Sequence, residues 1–166
     1  MNSTATDKWP LPCATDPSLG LPVLPCDNMN NDVFASISMD GGATWGRPKQ
    51  VTISAAAQWQ PWGDVGENGK LYVGYYDRRF GSCETTGCND ISLARSGNGG
   101  SWSERRITTD SMPNVPCDVN PFQCGFAGDY MSIQFANTRV YLVWADSRGR
   151  ELGTPDFDAY FASMKP

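Results

Sequence analysis

Two tripeptides that set an acid and a guanidinium two residues apart, Asp77-Arg78-Arg79 and Asp146-Ser147-Arg148, each close a run of apolar and aromatic residues. A guanidinium offers a planar fork of donors that grips a carboxylate through two parallel hydrogen bonds, so Arg79 and Arg148, with Asp77 and Asp146 beside them, are candidates for holding an acidic ligand. A tripeptide that occurs twice is more often an intrachain ion pair or turn cap, and both readings stay open. Other chemistries are absent from the composition. The 166 residues contain no His, which removes Ser-His and Cys-His nucleophile pairs, and no GxxxxGK[ST] phosphate loop. The six cysteines fall as neighbours, Cys13 with Cys26, Cys83 with Cys88 and Cys117 with Cys124. Their even number in loop-like surroundings predicts three local disulfides and an oxidising compartment, and without His or a CxxC pair they make a poor zinc site. No metal or other cofactor is assigned. Calcium could sit among Asp27, Asn28, Asn30 and Asp32 or between Asp156 and Asp158, without EF-hand spacing.

The elements that must position these residues repeat along the chain. Leu71 to Arg79 aligns with Val140 to Arg148 at a constant offset of 69 residues, 140 less 71. Segments opening Asn31-Asp32, Asn89-Asp90 and Phe157-Asp158 recur in the same way. Each unit parses into four antiparallel strands. The first is Gln60 to Val65 or Asp129 to Phe135, the second Lys70 to Tyr76 or Arg139 to Ala145, the third Asp90 to Arg95 or Asp158 to Ser163, and the fourth Trp102 to Thr108. Asn68-Gly69 and Asn137-Thr138 are suited to the first turn of each unit. A further hairpin runs from Asp32–Ile37 through Ser38-Met39-Asp40-Gly41-Gly42-Ala43-Thr44-Trp45 into a strand reaching Ile53, and a shorter copy of its turn stands at Ser96 to Trp102. In that turn Ser38 and Asp40 can lock the backbone, the glycines allow positive φ, and the Trp45 indole is expected to cover the turn.

The SxDGGxTW run is similar to the Asp box of bacterial-neuraminidase repeats, and residues 31 to 166 resemble the sialidase-like Asp-box β-propeller family. Gln60-Pro61-Trp62, the two Asp-x-Arg strand ends and Gly128-Asp129-Tyr130 carry the remainder of the likeness. The resemblance implies an all-β fold, a partial β-propeller of about two to three four-stranded blades. It divides the chain into an N-terminal loop (1–30), a half blade (31–54), a complete blade (58–109) and a last blade lacking its fourth strand (126–166). It makes Ser38, Asp40, Gly42, Thr44 and Trp45 structural. It puts the cysteine loops and the Asp-x-Arg ends on the opposite, substrate-facing side, where Arg79 and Arg148 would bind the carboxylate of an acidic sugar. Sialidases use a tyrosine nucleophile assisted by a glutamate, and Tyr130 with Asp129 are the nearest candidates here. The family's Arg-Ile-Pro motif is absent.

The function so implied is the C-terminal part of a secreted glycoside hydrolase of the exo-α-sialidase type, inactive as this segment alone. The alternative is a noncatalytic extracellular module that binds glycan or protein. Missing blades of a parent chain, or self-association, would complete the ring. With 13 basic against 18 acidic residues the net charge is −5, which disfavours nucleic acid as a partner. No apolar run is long enough to cross a bilayer, and residues 1–10 lack the apolar core of a signal peptide. The localisation expected is secreted, periplasmic or extracellular, with any export signal outside the 166 residues.

Overall fold

The computed structural model describes residues 31–80, 88–113, 130–148 and 157–166. All lie in the unit spanning 31–166. These residues form β1 (Phe34–Ala35), β2 (Lys49–Gln50), β3 (Gln58–Val65), β4 (Leu71–Asp77), β5 (Cys88–Ser96), β6 (Ser103–Arg106), β7 (Met112–Pro113), β8 (Ser132–Ala136), β9 (Arg139–Asp146) and β10 (Asp158–Met164), with no helix among them. Every pairing is antiparallel. β3, β4, β5 and β6 lie side by side in chain order, with β7 added to the start of β5, while β8, β9 and β10 form a second meander and β1 pairs with β2. The chain is therefore all-β. Among the described residues the three sheets remain open-edged and do not close into a barrel or ring.

Local chemistry explains the strand limits. Asn137 and Thr138, the two residues between β8 and β9, both take positive φ (50° and 63°), the geometry of a tight hairpin turn whose twist matches its strands. Between β3 and β4 the side chain of Asn68 accepts the Lys70 N–H at 3.0 Å and Gly69 takes φ 73°. Pro61 sits in edge strand β3, where the register slips between Trp59 and Trp62 and Gln60 has φ 47°. An edge bulge is where a residue without an N–H does least harm.

Three expected limits shift. The first hairpin, expected from Asp32–Ile37 and a strand to Ile53, keeps only a two-residue ladder, because Gly46 and Pro48 make poor strand; two further backbone bonds cross it, Val51 N–H to Val33 C=O at 2.8 Å and Gly46 N–H to Ile37 C=O at 2.9 Å. The fourth strand is limited to Ser103–Arg106. β5 is nine residues long against the four of β6, so its first residues, Cys88 and Asn89, are free to pair with Pro113 and Met112 of the unforeseen β7.

The sheets pack face to face by one repeated rule. On β4, Tyr72 and Tyr76 join Ile91 and Leu93 of β5 against Ile133, Phe135, Val140, Leu142 and Trp144 of the β8–β10 sheet. The opposite face, Tyr75 and Ala94, packs on Val33 and Val51 flanking the β1–β2 pair. The repeat carries Val73 and Tyr75 onto Leu142 and Trp144, so the same side of each sheet receives its predecessor. It also carries Tyr72, Gly74 and Leu93 onto Tyr141, Val143 and Phe161, and here the environments part. Val143 is 42% and Phe161 61% exposed, whereas Leu93 is 5% exposed. The contact between the two larger sheets is close: Tyr72 stacks on Phe135 with centroids 5.2 Å apart, and the Tyr76 hydroxyl donates to the Ala145 carbonyl at 2.9 Å. A Cβ on Gly74 would lie 3.0 Å from Met131 Cε and 3.1 Å from Leu142 Cδ2.

Gly74→Val is therefore expected to overpack this contact and lower stability by about 1–3 kcal/mol in urea unfolding. Val143→Ala, at the equivalent exposed position, is expected to cost less than about 1 kcal/mol. Equal effects of the two would contradict the face assignment.

Candidate functional site

β4 ends on Asp77, whose side chain is fully buried, and the chain then turns so that Arg79 folds back over it. The Arg79 amide donates to Asp77 Oδ1 at 3.0 Å, its Nε to Oδ2 at 2.9 Å and its Nη2 to Oδ2 at 2.7 Å, while the Ser92 hydroxyl donates to Oδ2 at 2.6 Å. The second copy is built alike. Asp146, 1% exposed, accepts the Arg148 amide at 2.9 Å, its Nε at 3.0 Å and its Nη2 at 2.7 Å. A carboxylate without water needs compensation of this kind, because an unpaired buried charge costs several kcal/mol.

Both guanidinium forks are thus turned onto their own carboxylates. Arg79 also meets Glu104 Oε2 at 2.5 Å and donates to the Tyr75 hydroxyl at 3.3 Å. Glu104 in turn accepts from Thr52 Oγ1 at 2.7 Å and from Tyr75 at 3.2 Å, tying β6 and β4 to the residue that follows β2 and Val51. Burial opposes the charge on Arg79, but the hydrogen bonds and charge of Asp77, with Tyr75 and Glu104, outweigh it and raise its pKa. Hydrogen bonding to Asp146 likewise raises Arg148. Burial, and then the charge of Glu104, push the Tyr75 hydroxyl upward, so it stays protonated.

Around this core the same end of the sheet carries further residues outside the Asp-x-Arg tripeptides. Asp90, paired across the ladder with Asp77 and fully buried, accepts Arg106 Nε at 2.9 Å, Thr108 Oγ1 at 2.5 Å and Ser111 Oγ at 2.7 Å. Phe80, 41% exposed, lies between two cations, 5.3 Å from Arg79 Cζ and 5.1 Å from Arg106 Cζ. Arg78 lies 4.9 Å above the Trp59 ring, which itself stacks on Tyr76 at 5.6 Å, and burial lowers the Arg78 pKa. The recurrence of an Asp at positions 32, 90 and 158 was the available signal for Asp90. Its partners Arg106 and Ser111 come from loops and strands that no spacing connects to it. Tyr130 is 77% exposed, and Asp129 lies outside the described residues.

At the other end of the strands the Ser38–Trp45 turn is closed by its own side chains. Ser38 Oγ accepts the Gly42 amide at 2.8 Å and donates to Asp40 at 2.8 Å; Asp40 accepts the Thr44 amide at 2.9 Å and hydroxyl at 2.6 Å. Gly41 and Gly42 take φ 70° and 93°. The Thr44 hydroxyl and amide, then Ser38, hold the Asp40 pKa down at about 2. The shorter copy uses the same logic: Ser96 Oγ accepts the Gly99 amide at 2.8 Å and Asn98 Oδ1 the Gly100 amide at 2.8 Å. One expectation fails, since Trp45 is 66% exposed and does not cover its turn. Thr44 and Ser38 already satisfy the turn without it.

Cys88 is 5% exposed and is not a free thiol; Cys13, Cys26, Cys83, Cys117 and Cys124 lie outside the described residues, as do Asp27, Asn28, Asn30 and Asp156. Among the described residues no three His, Cys, Asp or Glu side chains cluster as metal ligands, and no helix is long and apolar enough to cross a membrane. Chemically, the described residues of the Asp-x-Arg end offer ordered guanidinium edges and exposed aromatic rings, Phe80 and Tyr130. No protein-family model matches the sequence, and no curated protein matches it.

Two outcomes follow. Arg79→Ala and Arg148→Ala each strand a buried carboxylate and are expected to lower stability by about 3 kcal/mol in denaturant unfolding; unchanged midpoints would assign these arginines to ligand binding alone. Because the folded pKa of Asp40 lies below the ordinary 3.8, its contribution is present above pH 3.8 and is lost as pH falls toward about 2. Acid unfolding should accordingly be steeper in that window for the native protein than for Asp40→Asn, and superimposable curves would contradict the lock.

Proposed function

We propose that the chain is part of a sialidase-like Asp-box β-propeller, with the described sheets as successive blades, and that the parent protein is a secreted glycoside hydrolase of the exo-α-sialidase type. The observation that carries this reading is the stacking rule. Two meanders related by the 69-residue repeat present equivalent sides to their neighbours, and the next side in the series, Tyr141, Val143 and Phe161, is apolar and open. The two hydrogen-bonded Gly-Gly turns sit where third and fourth strands join, the place such a fold gives its Asp boxes. Tyr130 with Asp129 are the residues offered for the chemistry: the Asp129 carboxylate would take the Tyr130 phenol proton as the phenol oxygen bonds to the anomeric carbon and the glycosidic C–O bond breaks, the departing aglycone oxygen being protonated by an acid that the rest of the parent protein supplies. The cysteine pairs would brace the loops on that side, and a glycan is the partner.

A second reading, a noncatalytic extracellular propeller module that binds glycan, is favoured by the occupancy of Arg79 and Arg148. Guanidiniums already gripped by buried Asp77 and Asp146 have less to give a substrate carboxylate, though their outer edges and the neighbouring aromatic rings remain able to contact a sugar. Incubating the protein with its neighbouring upstream sequence on a fluorogenic sialoside, and separately on a glycan array, distinguishes the two. Hydrolysis lost in Tyr130→Phe at an unchanged unfolding midpoint supports the hydrolase, and array binding without hydrolysis supports the binding module. Neither binding nor turnover would remove both.

A further inference from the structure

The turn end of the central sheet holds an open cavity of about 330 Å³ lined by Lys70, Arg95, Ser96, Ser101, Trp102 and Ser103, together with Gly97. Lys70 precedes the first residue of β4, whereas Asp77 and Arg79 are at its far end, so the cavity is roughly 20 Å from the Asp-x-Arg cluster. We propose that this cavity is a binding site for an oxyanion, a sulfate or phosphate group either free or esterified to a small sugar.

The lining is a set of donors with no carboxylate among it. In a chain of net charge −5, two cations share this one cavity, and neither belongs to any ion pair among the described residues, all of which use Arg79, Arg106 or Arg148. The indole Nε1 of Trp102 is buried and has no hydrogen-bond partner. An indole N–H can only donate, and leaving it unanswered costs about 1–3 kcal/mol, so this donor beside the cavity is a sensitive reporter of change in the lining. Ser96 Oγ already accepts the amides of Asn98 and Gly99, at 3.3 Å and 2.8 Å, so its hydroxyl proton is the part left to offer. Arginine forks and ammonium groups suit tetrahedral oxyanions, and the size, at the lower end of the roughly 300–1,000 Å³ of small-molecule pockets, leaves room for a group larger than the bare ion.

The site stands independently of the propeller and hydrolase readings. It is tested by following the Trp102 indole N–H resonance, assigned by its loss in Trp102→Phe, while titrating inorganic sulfate, inorganic phosphate and a monosaccharide sulfate at low ionic strength. A saturable shift of that resonance is expected, weakened at least five-fold in Lys70→Gln and in Arg95→Gln, both of which leave the unfolding midpoint in place, and weakened further by added chloride. Tighter binding of the sugar ester assigns the ester as ligand, and equal binding assigns the free ion. No shift of the Trp102 resonance up to about 10 mM of any probe, or full affinity in both variants, would overturn the proposal.

Discussion

A carboxylate withdrawn from water must be answered by charge and hydrogen bonds within reach, and three do so at one end of these sheets: Asp77, Asp90 and Asp146, none more than 1% exposed. Each is met by an arginine that folds back after the strand or arrives from the next one. The arrangement fixes the direction in which the chain leaves β4 and β9, and it holds the strand ends in register where loops depart. At the opposite end no buried charge is needed. The turns there are closed by serine, asparagine and aspartate side chains accepting backbone amides, which is cheaper and tolerates exposure. One end is therefore rigid and rich in arginine, the other compact and hydrogen-bonded to itself.

The difference between the two meanders is as informative as their likeness. Tyr75 and Trp144 occupy equivalent places on β4 and β9. Tyr75 sends its hydroxyl across to Glu104 on β6, and Trp144, in a sheet with no fourth strand among the described residues, donates its indole N–H to Asp146 at 2.9 Å. The choice of aromatic follows the polar partner available at the position. Asp158 shows the same dependence: it aligns with Asp90 but is exposed, with no counterpart of Arg106 beside it among the described residues.

What the sequence made legible was what depends on local order. The alternating runs, the Gly and Asn turn positions, the 69-residue offset and the internal lock of Ser38, Asp40 and Thr44 involve partners a few residues apart or copies of one segment. The Asp-x-Arg pairs were visible as pairs, but which way the forks turn depends on the burial of Asp77 and Asp146, a property of the packed sheets. Asp90 with Ser111, Thr52 with Glu104, and Phe80 between two arginines bring together residues from separate strands, and nothing in their spacing announces them. The bulge at Gln60-Pro61 was hidden for a different reason. A proline in an apolar run signals an irregularity without saying how the strand absorbs it. Trp45 was assigned to its turn by proximity alone, and the polar lock left the indole no task there.

The stacking of the sheets through equivalent sides is the claim on which the remainder depends. It is tested most directly by nuclear Overhauser effects in the native protein, with Gly74 and Tyr75 as reporters because they are adjacent on β4 yet face opposite ways. The account predicts contacts from the Gly74 α-protons to the methyls of Met131 and Leu142, and from the Tyr75 ring to those of Val33 and Val51. Contacts of Gly74 with Val33 and Val51, or none from either residue across the sheets, would contradict it.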